Sequence, residues 1–547
     1  HRDRLANPNA VRAAQPPPPM TGRLFVVLTL AFLVVTSREP PWADAHVTYD
    51  TTQSLVDHFT LDVHTEGGPP WFYAHRLGRK YGVFPLGNVV AMAPGYLVYK
   101  TVHLLSWVPD RPLFAFCCHL SPAMMMAGAC VLFFVILRRR GARLGWSLAL
   151  TFTLAFGTQC FIYARSPYSE ALQTLALMWL IERTLAQAEA PTAAGMGWLG
   201  LAAGLLLNSK LVYALILPPV LIYLFYARRR ALGDFLRKTP LALIAFMEAM
   251  AVLLLHNQVK TGSYLESGYQ YKEGVFSGDL FAALYGFALS TGKGAIYYSP
   301  PLVLGLLGIR AALKQRRAES TFLISVISIV VLFNAKFRIW HADYCWGPRY
   351  LTVIVPIVLL LARENLRRWA LGAALACGIA VQVLGASFYW DHYIRILIAV
   401  KDQTGGYGWF TEHLSHGHFI PAFSPIRGHA WMLSHLVRND PELDRDAPWK
   451  SVIPQPANLS DAWTRMRLDW WFLDWPDPNA ATPSKPPILP IQKDASPAAG
   501  WIALALLVDA LALSAAGLRR RYLTAAAADD TVLAAHGLKR ADIHPRL

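Results

Sequence analysis

Thirteen long apolar runs, three of them closed by a triple arginine, constrain this chain more than any other feature of its sequence. The runs begin near Gly22, Phe84, Pro112, Leu144, Tyr168, Gly195, Leu211, Pro240, Ala295, Thr321, Tyr350, Trp369 and Gly500. As helices rising about 1.5 Å per residue, each covers much of a hydrocarbon core of about 30 Å. With 54% hydrophobic and 16% charged residues over 547 positions, the chain is too apolar for an ordinary soluble domain. The net charge of +16 does not point to nucleic acid, because the arginines are bunched at Arg138 to Arg140, Arg228 to Arg230 and Arg519 to Arg521, at the ends of apolar runs. That is the positive-inside signature of a multi-pass membrane protein.

Charge also assigns the sides. If every Arg/Lys cluster is cytoplasmic, including Lys314 to Arg317 and Arg363 to Arg368, an even number of crossings must separate successive clusters. Every interval from Arg138 onward satisfies this. The interval before it holds three runs, so one of them does not span. The run FPLGNVVAMAPGYLVYKTVHLLSW carries Pro85, Asn88, Pro94, Lys100 and His103, which are costly in lipid, and reads as a helix lying at the interface. The alternative is that Gly22 to Thr36 does not cross, which would put Asp44 in the cytoplasm. That run is uninterrupted and preceded by Arg12 and Arg23, which favours its spanning. The expected fold is therefore an all-α polytopic membrane protein with about twelve transmembrane helices, both termini cytoplasmic, extracytoplasmic juxtamembrane helices and a small C-terminal extracytoplasmic segment.

The expected organisation is a basic, Pro-rich, disordered leader at 1–20, a membrane module at 21–390 with outer loop 37–111, an extracytoplasmic segment at 391–499, a last transmembrane helix at 500–518 and a cytoplasmic tail at 519–547. The start at His1 rather than Met leaves the completeness of the N-terminus open. No internal repeat is evident. The six cysteines include no CxxC pair and sit mostly in apolar runs, so they read as packing residues. The spacing of His413, His416, His418, His429 and His435 fits no standard zinc pattern, and no metal site is expected.

The polar stretches fall on the outer side. Just after the first helix, REPPWADAHVTYDTTQSL places Asp44 and Asp50 beside the membrane surface, where a partly desolvated carboxylate can act as a general base; the plain alternative is two solvated loop acids. Arg165 in YARSPYSE, Lys293 in STGKGAIYYSPP and Arg349 in WGPRY lie near outer helix ends, where cations can bind a phosphate emerging from lipid or simply snorkel to headgroups. Tyr163, Tyr264, Tyr269, Tyr271, Tyr344 and Trp346 are among the aromatic residues crowding this face. Such rings suit the apolar faces of sugars and isoprenoids, and they also form the ordinary interfacial belt.

The order of these blocks resembles the GT-C superfamily of polyprenyl-phosphate-sugar-dependent glycosyltransferases, in particular bacterial relatives of the protein mannosyltransferases and the lipid A aminoarabinose transferases. DAHVTYDTTQSL is similar to the family's acidic residue followed by an amphipathic helix, and GVFPLGNVVAMAPGYLVY to its juxtamembrane helix. TQCFIYARSPYSEAL resembles an outer turn ending in an acid, here Glu170. KTGSYLESGYQ, LSTGKGAIYYSPPL and WGPRYL resemble later blocks, with fainter echoes in FIPAFSPIRGH and LDWWFL. The resemblance implies inverting transfer of a hexose or pentose from a polyprenyl-phosphate donor to a glycan, lipid or protein acceptor, at the periplasm-facing side of a bacterial inner membrane. It implies Asp44 or Asp50 as the base, Arg349, Lys293 and Arg165 on the donor phosphate, and Tyr163, Glu170, Tyr264, Tyr269 and Trp346 around the substrates. Many relatives carry two adjacent acids in the first loop, whereas Ala45 follows Asp44. No cofactor is firmly implied, and a divalent cation stays open. The rival readings are a transporter or flippase for lipid-linked glycans, which calls for charged or broken helices deep in the bundle, and a non-catalytic envelope-assembly scaffold.

Overall fold

The computed structural model describes residues 18–65, 69–104, 110–269, 275–342, 345–364, 366–404, 418–473 and 497–535. Residues 1–17 of the leader, Tyr271, Tyr344, His413, His416, part of the outer segment at 474–496 and the tail from 536 lie outside these stretches.

The chain is almost wholly helical. Helix α1 (Pro18–Val34) starts on a proline that suits a first turn. It is followed by α2 (Asp44–His58), whose C-terminal cap Phe59 takes a left-handed conformation. The outer loop then makes the one regular departure from the all-α expectation among the described residues, a hairpin of β1 (Tyr73–Arg76) and β2 (Arg79–Gly82). Leu77 and Gly78 both have positive φ, 50° and 73°, as a two-residue hairpin turn matched to strand twist requires. Helix α3 (Leu86–His103) is the run assigned to the interface. Asn88, Met92, Gly95, Tyr96 and Tyr99 are buried on one side, whereas Val90, Pro94, Leu97 and Leu104 are exposed on the other. Pro94 therefore sits on the outward face.

The bundle continues with α4 (Asp110–Arg139), α5 (Leu144–Gly157), the single turn α6 (Cys160–Ala164), α7 (Glu170–Glu189), α8 (Ala193–Ser209), α9 (Leu217–Arg228), α10 (Leu232–Lys238) and α11 (Pro240–Thr261). Three turns, α12 (Leu280–Leu289), stand between the runs that begin near Pro240 and Ala295. Next come α13 (Ala295–Tyr298), α14 (Leu302–Gln315) and α15 (Arg317–Lys336). The run near Tyr350 is a 3-10 helix, Arg349–Ile354, leading into α16 (Val355–Leu359). From Leu351 to Leu359 every residue is buried, so this segment is a core strut rather than a lipid-facing helix. Then follow α17 (Arg368–Ser387), α18 (Asp391–Thr404), α19 (Pro425–Arg438), α20 (Ser460–Arg465) and α21 (Pro497–Ala535). The last is one continuous helix that runs on past Arg519 to Arg521.

Six of the described helices are long and apolar enough to cross a membrane, and five more apolar helices are shorter. The molecule is an all-α membrane protein. Most of these helices pack into one apolar core, while residues from Phe388 to Met466 form a second, separate cluster that includes Tyr393, Trp431 and Trp449.

Helix α7 shows how the two ends of the bundle differ. At its C-terminal end Glu182 pairs with Arg139 at 2.9 Å, and Glu189 pairs with the same arginine at 3.4 Å. Arg140 pairs with Glu319, and Arg143 with Glu364. Arg23 at the start of α1 donates to the Gly517 carbonyl, close to the last arginine cluster. The basic clusters thus gather at one end of the bundle. Glu170, at the other end of α7 and about 30 Å away at helical rise, belongs to a different set of charges.

Candidate functional site

Three chain segments meet at Arg349. Its Nε donates to Glu170 Oε1 at 2.7 Å and its Nη2 to Asp44 Oδ2 at 2.6 Å. Its guanidinium lies 4.1 Å from the centre of the Tyr168 ring, a cation–π contact. Among the described residues the remaining nitrogen, Nη1, has only a long 3.8 Å contact to Cys345 Sγ, so there one edge of the fork is almost unspent. Asp44 opens α2, Glu170 opens α7 and Arg349 opens the 3-10 helix. First-turn acids are favoured by the free N–H groups there.

Local sequence explains the placement. Gly347 has φ 62°, and a Cβ on it would come within 2.7 Å of the Tyr298 ring. Only glycine combines that conformation with that contact, and Pro348 then stiffens the turn that delivers Arg349. Gln159 braces the same turn through its Nε2, which donates to the Pro348 carbonyl and to Thr352 Oγ1. On the other side, Ala43 has φ 53°, unusual for a residue with a Cβ, immediately before Asp44. One Asp44 oxygen accepts from the Ala45 N–H at 3.1 Å. In place of a desolvated lone carboxylate, Asp44 is ion-paired, with 24% of its side chain exposed, whereas Glu170 is 3% exposed. Glu170 Oε2 is buried without a hydrogen-bond partner among the described residues.

Lys210 is a fourth member that the sequence reading missed. It follows α8, with its ammonium 4.6 Å from the centre of the Tyr350 ring. Burial pushes it below the ordinary lysine range, Glu170 and Asp44 oppose that shift, and Arg349 adds to it. The available signal was that Lys210 is the one charged residue between Glu189 and Arg228.

The other expected site residues are placed elsewhere. Asp50 accepts from the Thr65 N–H at 2.9 Å and the Thr65 hydroxyl at 2.7 Å; it pins the outer loop and is not brought to Arg349. Arg165 is 4% exposed, and its donors go to the Val35 carbonyl and to Asp469. Lys293 is fully buried and donates to the Cys345 carbonyl at 2.6 Å, behind the turn that carries Arg349. The three cations therefore do not share one cluster, because a position near a helix end sets a side chain's depth but not its direction. Tyr163 donates its hydroxyl to the Trp346 carbonyl at 2.9 Å. The Trp346 ring is buried against Tyr298 and His429, so both residues build the wall behind the turn. Tyr264 and Tyr269 belong to the hairpin side: the Tyr264 carbonyl accepts from Asn257, and Tyr269 meets Phe84 edge to face.

His435 sits between the Asp440 carbonyl and Asp446, while His418 and His341 lie ring to ring at 4.9 Å. No group of three metal-binding side chains occurs among the described residues. At the main site, the place between the two carboxylates is taken by a guanidinium.

No family model and no curated protein matches this sequence. Among solved structures, the chain is similar to ArnT from Cupriavidus metallidurans bound to undecaprenyl phosphate, with TM-score 0.45 and 13% identity over 78% of this chain and 72% of that one. It is also similar to the archaeal oligosaccharyltransferase AglB from Archaeoglobus fulgidus in complex with an inhibitory peptide and a dolichol-phosphate. There the TM-score is 0.35 and the identity 11%, over 88% of this chain and 63% of that one.

Proposed function

We propose that the chain is an inverting glycosyltransferase of the GT-C kind, moving a sugar from a polyprenyl-phosphate donor to an acceptor on the outer face of a bacterial inner membrane. The observation that carries this reading is Arg349 bridging Asp44 and Glu170 at the end of the bundle opposite the basic clusters. A partly exposed carboxylate beside a cation with an unspent edge is what the chemistry requires, and a deep charged pathway of the transporter kind is not needed to explain it.

In this reading the acceptor hydroxyl or amine approaches the exposed side of Asp44 and loses its proton to that carboxylate as it attacks the anomeric carbon. The bond to the phosphate oxygen breaks on the opposite face. The charge that grows on the departing phosphate is met by Nη1 of Arg349 and by Lys210, fixed cations that need little reorganisation. Glu170 orients the guanidinium from its other edge. Since a lipid phosphate is already a good leaving group, no second carboxylate acting as an acid is required, unlike the glycosidase pair. The donor's tail stays in lipid. The proposed topology has about twelve crossings, with α3 at the interface and both termini cytoplasmic.

The direct test is to incubate the purified protein with a panel of polyprenyl-phosphate sugars and follow release of lipid phosphate. Asp44→Asn, nearly isosteric, is expected to lose at least ~100-fold in rate, the scale of general-base catalysis, while still inserting and folding. Asp50→Asn is expected to stay within about tenfold of wild type, since its carboxylate only holds Thr65. A reversed order of the two would move the base to Asp50.

A further inference from the structure

A dense set of buried polar contacts outside this site surrounds Asp469, in the LDWWFL stretch that the proposed reaction does not use. Asp469 is 2% exposed and Arg165 4%. The Asp469 carboxylate accepts from the Ser37 hydroxyl at 2.8 Å and the Arg38 N–H at 3.2 Å, and it faces Arg165 Nη2 at 3.2 Å. Arg165 also donates to the Asp469 carbonyl at 2.7 Å and, through Nε, to the Val35 carbonyl at 2.6 Å. Trp471 adds a backbone bond to the Thr36 carbonyl at 3.0 Å and an indole bond to the Val34 carbonyl at 3.3 Å. The far side of the strap is anchored as well, since the Asp469 N–H donates to the Ser387 carbonyl at 2.9 Å. Every residue from Val34 to Arg38 is thereby held by the late strap or by Arg165. Only the connector through Ala43 separates this clamp from Asp44. Ala43 keeps a positive φ, a conformation sustained only where both flanks are fixed.

We propose that Asp469 and Arg165 are positioning residues for Asp44, clamping the start of the connector so that the Asp44 carboxylate is held against Arg349. The inference rests on the glycosyl-transfer reading for its kinetic arm alone. Hydrogen exchange of the full-length chain in nanodiscs tests the clamp without any substrate. Asp469→Asn keeps the shape of the side chain and removes its charge. It is expected to raise exchange across 36–44 about tenfold while leaving the C-terminal half of α7 unchanged. Ser37→Ala, which deletes one contact and spares the ion pair, is expected to give a smaller rise in the same peptide and covers the case in which Asp469→Asn does not fold. With a turned-over donor, Asp469→Asn is expected to lower kcat about 100-fold and to leave the donor KM within about twofold, because a displaced base weakens the chemical step rather than binding. Unchanged exchange at 36–44 in both variants, or a rise spread evenly over α7 as well, overturns the clamp. Intact exchange effects with equal losses in kcat and donor affinity overturn the positioning role. A wild type that releases no lipid phosphate from any donor counts against the glycosyltransferase reading, and the exchange result then stands on its own.

Discussion

Arg349 serves two acids and, among the described residues, spends its third nitrogen only on a long contact to Cys345, so substitutions there separate its duties. Lysine can supply one charge but cannot bond Glu170 and Asp44 at once while offering a further N–H to a phosphate. Arg349→Lys is therefore expected to lose most of the transfer rate and Arg349→Ala nearly all of it, each measured as lipid-phosphate release, with Glu170 left as an uncompensated buried acid in the alanine variant. An Arg349→Lys protein as active as wild type would remove the residue from the reaction. Lys210 makes a separate expectation about pH. Its ammonium is present at low pH and lost as the pH rises through its lowered value. If it grips the phosphate, donor KM should climb on the alkaline side at a pH where an ordinary lysine would still be charged. Lys210→Arg should push that rise out of range, and Lys210→Gln should give a high, nearly flat KM. Asp44, Glu170 and Arg349 were each readable as candidates because polar residues at the outer ends of apolar runs stand out. Their meeting was not readable, since the contacts join positions 305 and 179 residues apart. Arg165 and Lys293 stood out for the same reason, and only the fold reveals where their donors go.

At the level of helices, α8 delivers Lys210, and its position depends on a close approach to α11. A Cβ on Gly200 would lie 2.0 Å from the Ala242 carbonyl oxygen, and one on Gly204 2.2 Å from the Ala249 Cβ. This is the small-xxx-small packing of membrane helices, reinforced by Asn208 donating to the Ala249 carbonyl at 2.8 Å. Gly200→Leu is expected to separate the two helices, lower the thermal unfolding temperature in detergent and raise donor KM through Lys210. Gly233→Leu, at a glycine with open space around it, should do neither. The interfacial placement of α3 is a proposal resting on Pro94 and Lys100, while the helix itself was legible from the apolar run. The hairpin at 73–82 was not, because a short hairpin in a polar loop carries little periodicity and draws its stability from neighbours, and α12 was not, because its ten apolar residues are too few to stand out as a span.

For the molecule as a whole, the opposition of ends is the main result. Arginine clusters and their partner acids gather at one end, and the Asp44, Glu170, Lys210 and Arg349 set at the other. Lys210 apart, that asymmetry was legible in the sequence, because the charge bias of loops is local and needs no contact map. A cysteine introduced at Thr65 should accordingly react with an impermeant thiol reagent applied from outside intact cells. Reaction only after permeabilisation would sink the orientation and the proposed chemistry together.

The bond between Ser37 and Asp469 joins positions 432 residues apart, and this has a consequence for how the protein is made. A ribosome adding about 5–20 residues per second needs roughly 20–90 s between the two. Throughout that interval Asp44, and later Glu170 and Arg349, are already in the membrane without the strap that holds the connector. On the proposed function, a chain stalled or cleaved before residue 469 would hold every acid and cation of the site without the clamp, and is expected to release no lipid phosphate.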